Sequence, residues 1–305
     1  VDIISGPPYP KLIPGIELIK LPGLNLFSTF KFRDRLDLFL NKKNKSFDDW
    51  YEFGSTLLGG FPELQTFGNR AHSYLLDKTY DVVIDNQSIS YGAVKIQDSF
   101  PLVEIMHHPI SKDYYYDLKF AKGILQSISK IRWYSFLRMQ KSSAKKINVV
   151  VTPSMNSKED IHIDFQVPIE NIQVIPNGID CDIFCPLPQI LPKKYRLITT
   201  ASADVPLKGL DFSLEAIARL KPEYPDIHLM VIGSPRKEGH TERLLKKLEL
   251  ENHVSFRTNL TKEEITQEYA QSKAAIVSSL YEGFGFPVGE ACLLYTSDAA
   301  DDLLC

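Results

Sequence analysis

Cysteine is scarce in this chain of 305 residues, with four in all: Cys181, Cys185, Cys292 and Cys305. Four are too few for a disulfide framework at this length, and a reducing, cytoplasmic setting is expected. Cys181 and Cys185 have no second Cys/His pair nearby, which argues against a zinc site. Long apolar runs are missing too: no stretch approaches the roughly 18 residues that a membrane-crossing helix needs. No signal peptide opens the chain. Neither sign of charge dominates; the net charge of −3 gives no reason to expect nucleic acid. No Asp-x-Asp element follows an expected strand, so no carboxylate-held metal is expected.

What is present is an ordinary globular composition, 44% hydrophobic and 24% charged, in a chain long enough for two domains. The opening VDIISGPPYP reads as the end of a strand entering a turn, as though a first βα unit preceded it. Ile16 to Leu21 alternates as a short strand, while Phe47 to Leu58 and Asn69 to Leu76 read as helices. Asp81 to Asp85 and Leu102 to Met106 are compact apolar runs that predict buried parallel strands. Asp113 to Lys146 carries one long helical pattern, and Asn148 to Thr152 another strand. From Tyr195 the pattern settles into βα alternation, which builds a parallel sheet covered on both faces. The strands fall at Arg196 to Thr200, Ile227 to Ile232, Val254 to Phe256 and Ala274 to Val277. The helices between them fall at Leu210 to Leu220, Thr241 to Leu250 and Lys262 to Ser272.

The organising stretch is Ser279 to Ala291, SLYEGFGFPVGEA. Glu282 and Glu290 stand eight positions apart, Gly283 and Gly285 leave the backbone open to close approach, and Pro287 suits a helix start. The unpaired N–H groups of such a helix would favour an anion, a diphosphate above all. On spacing alone, a Gly-rich βα loop with two solvated acids is an equal reading. The stretch resembles, however, the E-x7-E motif of the retaining glycosyltransferases of the glycogen-synthase-like family 4. That resemblance implies an α/β fold of two Rossmann-like domains facing a cleft, the GT-B architecture. It assigns Glu282 to the donor sugar, the amides of Phe284 and Gly285 to the donor diphosphate, Gly283 to the same donor site, and Glu290 to the ribose.

Further segments extend the resemblance. IQVIPNGID, Ile172 to Asp180, is similar to the family's segment between domains. This sets domains of 1–187 and 188–291, with the boundary near Leu187. His107, after the strand Leu102 to Met106, matches a family histidine near the donor sugar and is preferred over His108; by itself it would read as a structural hydrogen-bonding residue. In ASADVPLKGL, Lys208 before Gly209 inherits a phosphate-binding role, whereas a lone loop lysine would read as solvated. The family often carries an Arg six residues earlier, and here stands Ser202, which has neither charge nor fork; Arg236 is the candidate substitute. Gly233 and the loop residues Asn259 and Leu260 fall where relatives line the nucleotide pocket.

The expected activity is transfer of a sugar from a nucleoside-diphosphate sugar to an unidentified hydroxyl acceptor, with retention and no further cofactor. A nucleotide-sugar epimerase of the same architecture and a nucleotide-binding fragment without turnover are the alternatives. From Lys119 to Lys146 eight cations run without an acid, interleaved with Trp133, Tyr134, Phe136 and Leu137. That segment reads as a core-facing aromatic stripe with a solvated basic back, or as a surface for anionic membrane at the inner face. Residues 292–305, CLLYTSDAADDLLC, resemble a translated sequencing adapter and are expected to be non-native.

Overall fold

The computed structural model describes residues 1–29, 31–201 and 203–294. The chain divides into two compact units between Pro176 and Asn177, upstream of the boundary expected near Leu187. The cause lies in packing. Ile179, Ile183, Phe184 and Leu187 join a cluster with Ile198, Met230 and Tyr269 of the second unit, so the expected linker is part of that unit's core.

In the first unit, β1 (Asp2–Ser5) and β2 (Glu17–Lys20) form a parallel pair. Three helices follow: α1 (Phe32–Asn41), α2 (Phe47–Leu57) and α3 (Glu63–Leu75). A capping box starts α2, the Ser46 hydroxyl accepting from the Asp49 N–H while the Asp49 carboxylate accepts from the Ser46 N–H. The chain then runs through β3 (Val83–Asn86), α4 (Tyr91–Ile96), β4 (Leu102–Ile105), α5 (Ser111–Lys119), α6 (Ile124–Trp133) and α7 (Leu137–Ala144). It closes with β5 (Val150–Thr152), α8 (Met155–Phe165) and β6 (Ile172–Val174).

A four-stranded parallel sheet orders these strands β3-β4-β5-β6. Its core gathers Ile89, Met106, Ile147, Val150, Ile161 and Phe165. Two expectations change here. The run around β3, an edge strand, is only partly buried: Ile84 is 61% exposed and Val83 half-buried. The long helical pattern is three helices, broken at Gly123, whose φ of +90° no helix tolerates, and at the tight turn Tyr134–Phe136.

The second unit holds β7 (Lys193–Thr199), α9 (Leu210–Leu220), β8 (His228–Ile232), α10 (His240–Leu248), β9 (Val254–Arg257), α11 (Lys262–Ala270), β10 (Ser272–Ala275) and α12 (Phe286–Leu293). Its sheet runs β10-β7-β8-β9, with all pairings parallel. Leu214 and Ile217 of α9 pack on Leu229 and Val231 of β8, all fully buried. Each of these residues removes apolar surface worth about 2 kcal/mol from water. At the chain's described end, Cys292 and Leu293 continue α12, and Leu294 is buried against the Ile198 cluster.

Candidate functional site

In the second unit, the loops that leave β7 and β10 are bound to each other. Gly209 sets the contact. Its φ is +62°, and a Cβ there would stand 1.9 Å from the Ser278 carbonyl oxygen, so only glycine allows this approach. The Ser278 hydroxyl donates to the Gly209 carbonyl (2.8 Å) and meets the Ser213 hydroxyl of α9 (2.8 Å). The Leu280 N–H donates to the Leu207 carbonyl at 2.8 Å. Residues 207–209 and 278–280 are therefore tied to each other through their backbones and Ser278.

That junction brings together two residues singled out from separate motifs. Lys208 Nζ lies 2.9 Å from Glu282 Oε1, both side chains partly exposed. An exposed pair of this kind contributes under about 1 kcal/mol to stability; it places a cation and a carboxylate side by side at the sheet's carboxyl edge. Gly285, with φ of +84°, turns the chain into α12, and Pro287 occupies the first turn. The Phe284 and Phe286 rings pack edge to face at 5.1 Å.

Glu290, in the second turn of α12, has a different partner from Glu282. The Tyr269 hydroxyl of α11 donates to it at 3.3 Å. Burial pushes the Glu290 carboxyl above the ordinary range, against the lowering effect of the Tyr269 bond. Tyr269 itself is 1% exposed, and its phenol also reaches Thr200 and the Pro287 carbonyl. Sequence reading missed Tyr269; a lone tyrosine seven residues into a helix carries no motif.

Asp204 was missed as well. Its carboxylate accepts from the backbone N–H of Arg236 (2.7 Å) and of Thr241 (2.8 Å), which ties the loop after β8 and the start of α10 to the loop after β7. These bonds hold the Asp204 carboxyl below its usual range despite partial burial. Arg236, the candidate for a second cation, is thus fixed in backbone position while its side chain stays exposed. Gly233 closes β8 where a Cβ would meet the Ala201 carbonyl at 2.4 Å. Asn259 adopts the left-handed region at φ +56° in the exposed loop after β9, followed by half-buried Leu260. Gly283 lies in the loop before α12; Ser202 is outside the described residues.

His107 belongs to the first unit, two residues beyond β4. Its Nε2 is 2.8 Å from Asn86 Oδ1, and its N–H donates to Gln87 Oε1 at 3.0 Å. Burial, then the neighbouring His108, lower its pKa, which favours the neutral ring. His108 instead meets Asp113 at 2.8 Å. Three positions before His107, within β4, lies an acid that sequence reading passed over. Glu104 is wholly buried, opposite Asp85 in the β3–β4 register. Burial and the Asp85 charge drive its carboxyl well above the ordinary range. Ser88 and the Ile89 N–H hold Asp85. Among the described residues no cluster of His, Cys, Asp and Glu could hold a metal ion.

Residues 188–296 match the family model described as Glycosyl transferases group 1, and residues 42–183 match Glycosyltransferase Family 4. The MMP alpha-(1->4)-mannosyltransferase of Mycolicibacterium hassiacum is 37% identical over 295 residues, 95% of this chain and 70% of that protein. A GDP-mannose-dependent alpha-(1-6)-phosphatidylinositol monomannoside mannosyltransferase of Mycolicibacterium smegmatis is 25% identical over 141 residues, 44% of this chain and 37% of that protein. Among solved structures, the sucrose-phosphate synthase of Thermosynechococcus elongatus superposes with a TM-score of 0.64 at 19% identity, covering 95% of this chain and 68% of that one. Anabaena Alr3699/HepE, solved with UDP-glucose, superposes with a TM-score of 0.58 at 19% identity, covering 76% and 62%.

Proposed function

The chain belongs to the GT-B glycosyltransferases of family 4, and from that premise we propose that it transfers mannose from a nucleoside-diphosphate mannose to a hydroxyl acceptor with retention. The observation that carries the reading is the 2.9 Å contact between Lys208 and Glu282. It joins the Lys-Gly element to the E-x7-E loop, as a site for a sugar diphosphate requires. Mannose is favoured because the relative at 37% identity is a mannosyltransferase.

In this reading the diphosphate rests on the amides of Phe284 and Gly285 at the start of α12, and the Lys208 ammonium neutralises it. Donor binding shares Lys208 between phosphate and Glu282, leaving the carboxylate to accept from the sugar hydroxyls. Glu290, steadied by the Tyr269 phenol, receives the ribose hydroxyls; Gly233, Asn259 and Leu260 border the base. The family resemblance gives His107 a role toward the donor sugar, as a hydrogen-bond donor or acceptor. The bond from the anomeric carbon to the phosphate oxygen breaks, the bond to the acceptor oxygen forms on the same face, and the acceptor proton passes to the departing phosphate.

Calorimetric titration with GDP, UDP and ADP tests the donor half. One nucleotide should bind selectively, and Lys208→Ala should weaken it by about 1.5–3 kcal/mol, roughly 10- to 150-fold. Glu282→Ala should keep nucleotide affinity within about threefold while hydrolysis or transfer of the matching nucleotide-mannose disappears. Equal, weak binding of all three by the folded chain, untouched by Lys208→Ala, would remove the assignment.

A further inference from the structure

The apolar side of α6 points the wrong way for a helix that packs on a core. Ile124, Leu125, Ile128 and Ile131 are 78%, 84%, 41% and 51% exposed, and no residue of the helix is fully buried. At 100° per residue these four fall within one arc of about 120°. The opposite side makes the contacts with the protein. There, Lys130 meets Asp117 of α5 at 2.6 Å, and Trp133 packs against Phe27 and Phe61 at 5.2 and 4.9 Å. Of the aromatic stripe expected of this region, Tyr134 and Phe136 pack on the first unit's core and Leu137 is 6% exposed within it, while Trp133 stays 37% exposed. A second, aliphatic stripe is therefore left outside.

Charge identifies what covers it. No acidic residue stands between Asp117 and Glu159, a span with nine lysines and arginines. Lys119 and Lys122 precede the stripe, and Arg132 ends it, lying beside Gly59 and next to Leu58, which is 70% exposed. A protein partner would need an acidic rim around an apolar groove; an anionic bilayer supplies negative headgroups and hydrocarbon together over a flat area. We propose that α6 lies in the interface of an anionic membrane, its Ile124, Leu125, Ile128 and Ile131 face in the acyl boundary and its cations on the headgroups. Ten residues, about 15 Å, lie on such a surface and cannot cross it. The inference does not depend on the donor assignment.

Vesicle flotation tests it, with the chain mixed with phosphatidylcholine vesicles or with an equimolar mixture of phosphatidylcholine and phosphatidylglycerol. Binding should be at least about tenfold stronger to the anionic vesicles and should fall steeply between low and molar salt. Leu125→Ser with Ile128→Ser should lose most of it; both positions are exposed, so the fold should survive, as circular dichroism would check. Lys122→Glu with Arg132→Glu should remove the preference for the anionic lipid. No flotation of the folded chain, equal flotation with both vesicles, or flotation unchanged in the aliphatic variant would each overturn the proposal. So would self-association in sedimentation that the aliphatic variant abolishes, since the face would then belong to a second copy.

Discussion

Gly209 is the residue on which the loops proposed to hold the donor depend most directly. A methyl group there collides with backbone at Ser278, which cannot rotate away, and the φ of +62° adds strain. Gly209→Ala should therefore destabilise the fold by about 2 kcal/mol or more in urea titration. It should also lower nucleotide affinity, since Lys208 shifts with the loop. Stability lost with affinity intact would separate the loop junction from the donor site. Glu104 makes a different kind of statement. It holds its proton well above the ordinary carboxylate range, so its contribution to folding is complete at acid pH. That contribution is lost as pH rises from the unfolded-state value through the folded one. Glu104→Gln should match the parent near pH 5 and exceed it by about 1–2 kcal/mol at pH 8. A parent curve that falls no faster than the variant's would contradict a buried proton at this site.

At the scale of the element, α11 links the sheet to Glu290, the carboxylate proposed to meet the ribose. Its capping box fixes the start, with the Thr261 hydroxyl accepting from the Glu264 N–H and the Glu264 carboxylate accepting from the Thr261 N–H. Tyr269 near its other end reaches Glu290 of α12. Tyr269→Phe keeps the buried ring and removes only the hydroxyl. The fold should lose about 1 kcal/mol, and nucleotide affinity should drop several-fold as Glu290 loses its donor. If calorimetry finds the affinity unchanged, Glu290 is not positioned through Tyr269. Helices α5 to α7 carry the complementary lesson. A single 3.6-residue periodicity extended across Gly123, and one left-handed glycine was enough to divide it. Periodicity also told which residues are apolar without telling which apolar arc meets a core; the aliphatic arc of α6 faces outward while Tyr134, Phe136 and Leu137 just after it face the core.

For the whole molecule, the two units provide an internal control. A nucleotide at about 100 times its Kd should stabilise the native state by about 2.7 kcal/mol. If the second unit alone holds the nucleotide, the added hydrogen-exchange protection should concentrate from Asn177 onward, around residues 207–209 and 280–290. Protection spread equally over Val1 to Pro176 would mean that donor binding involves the first unit's own contacts from the outset.

The sequence by itself determined the βα order of the second unit, the helix Leu210–Leu220 to the residue, and the motif positions Lys208, Glu282 and Glu290. Those signals are local: turn glycines, a helix start and runs of branched residues follow from adjacent chemistry. Sheet order, the exposed edge at Ile84 and the contact of Lys208 with Glu282 across 74 positions came only with tertiary structure. So did the Tyr269 and Asp204 bonds, the burial of Glu104 opposite Asp85 and the outward face of α6. Each depends on which distant segment comes to lie alongside, and burial, not residue type, decides whether a carboxyl keeps its proton or an isoleucine meets water.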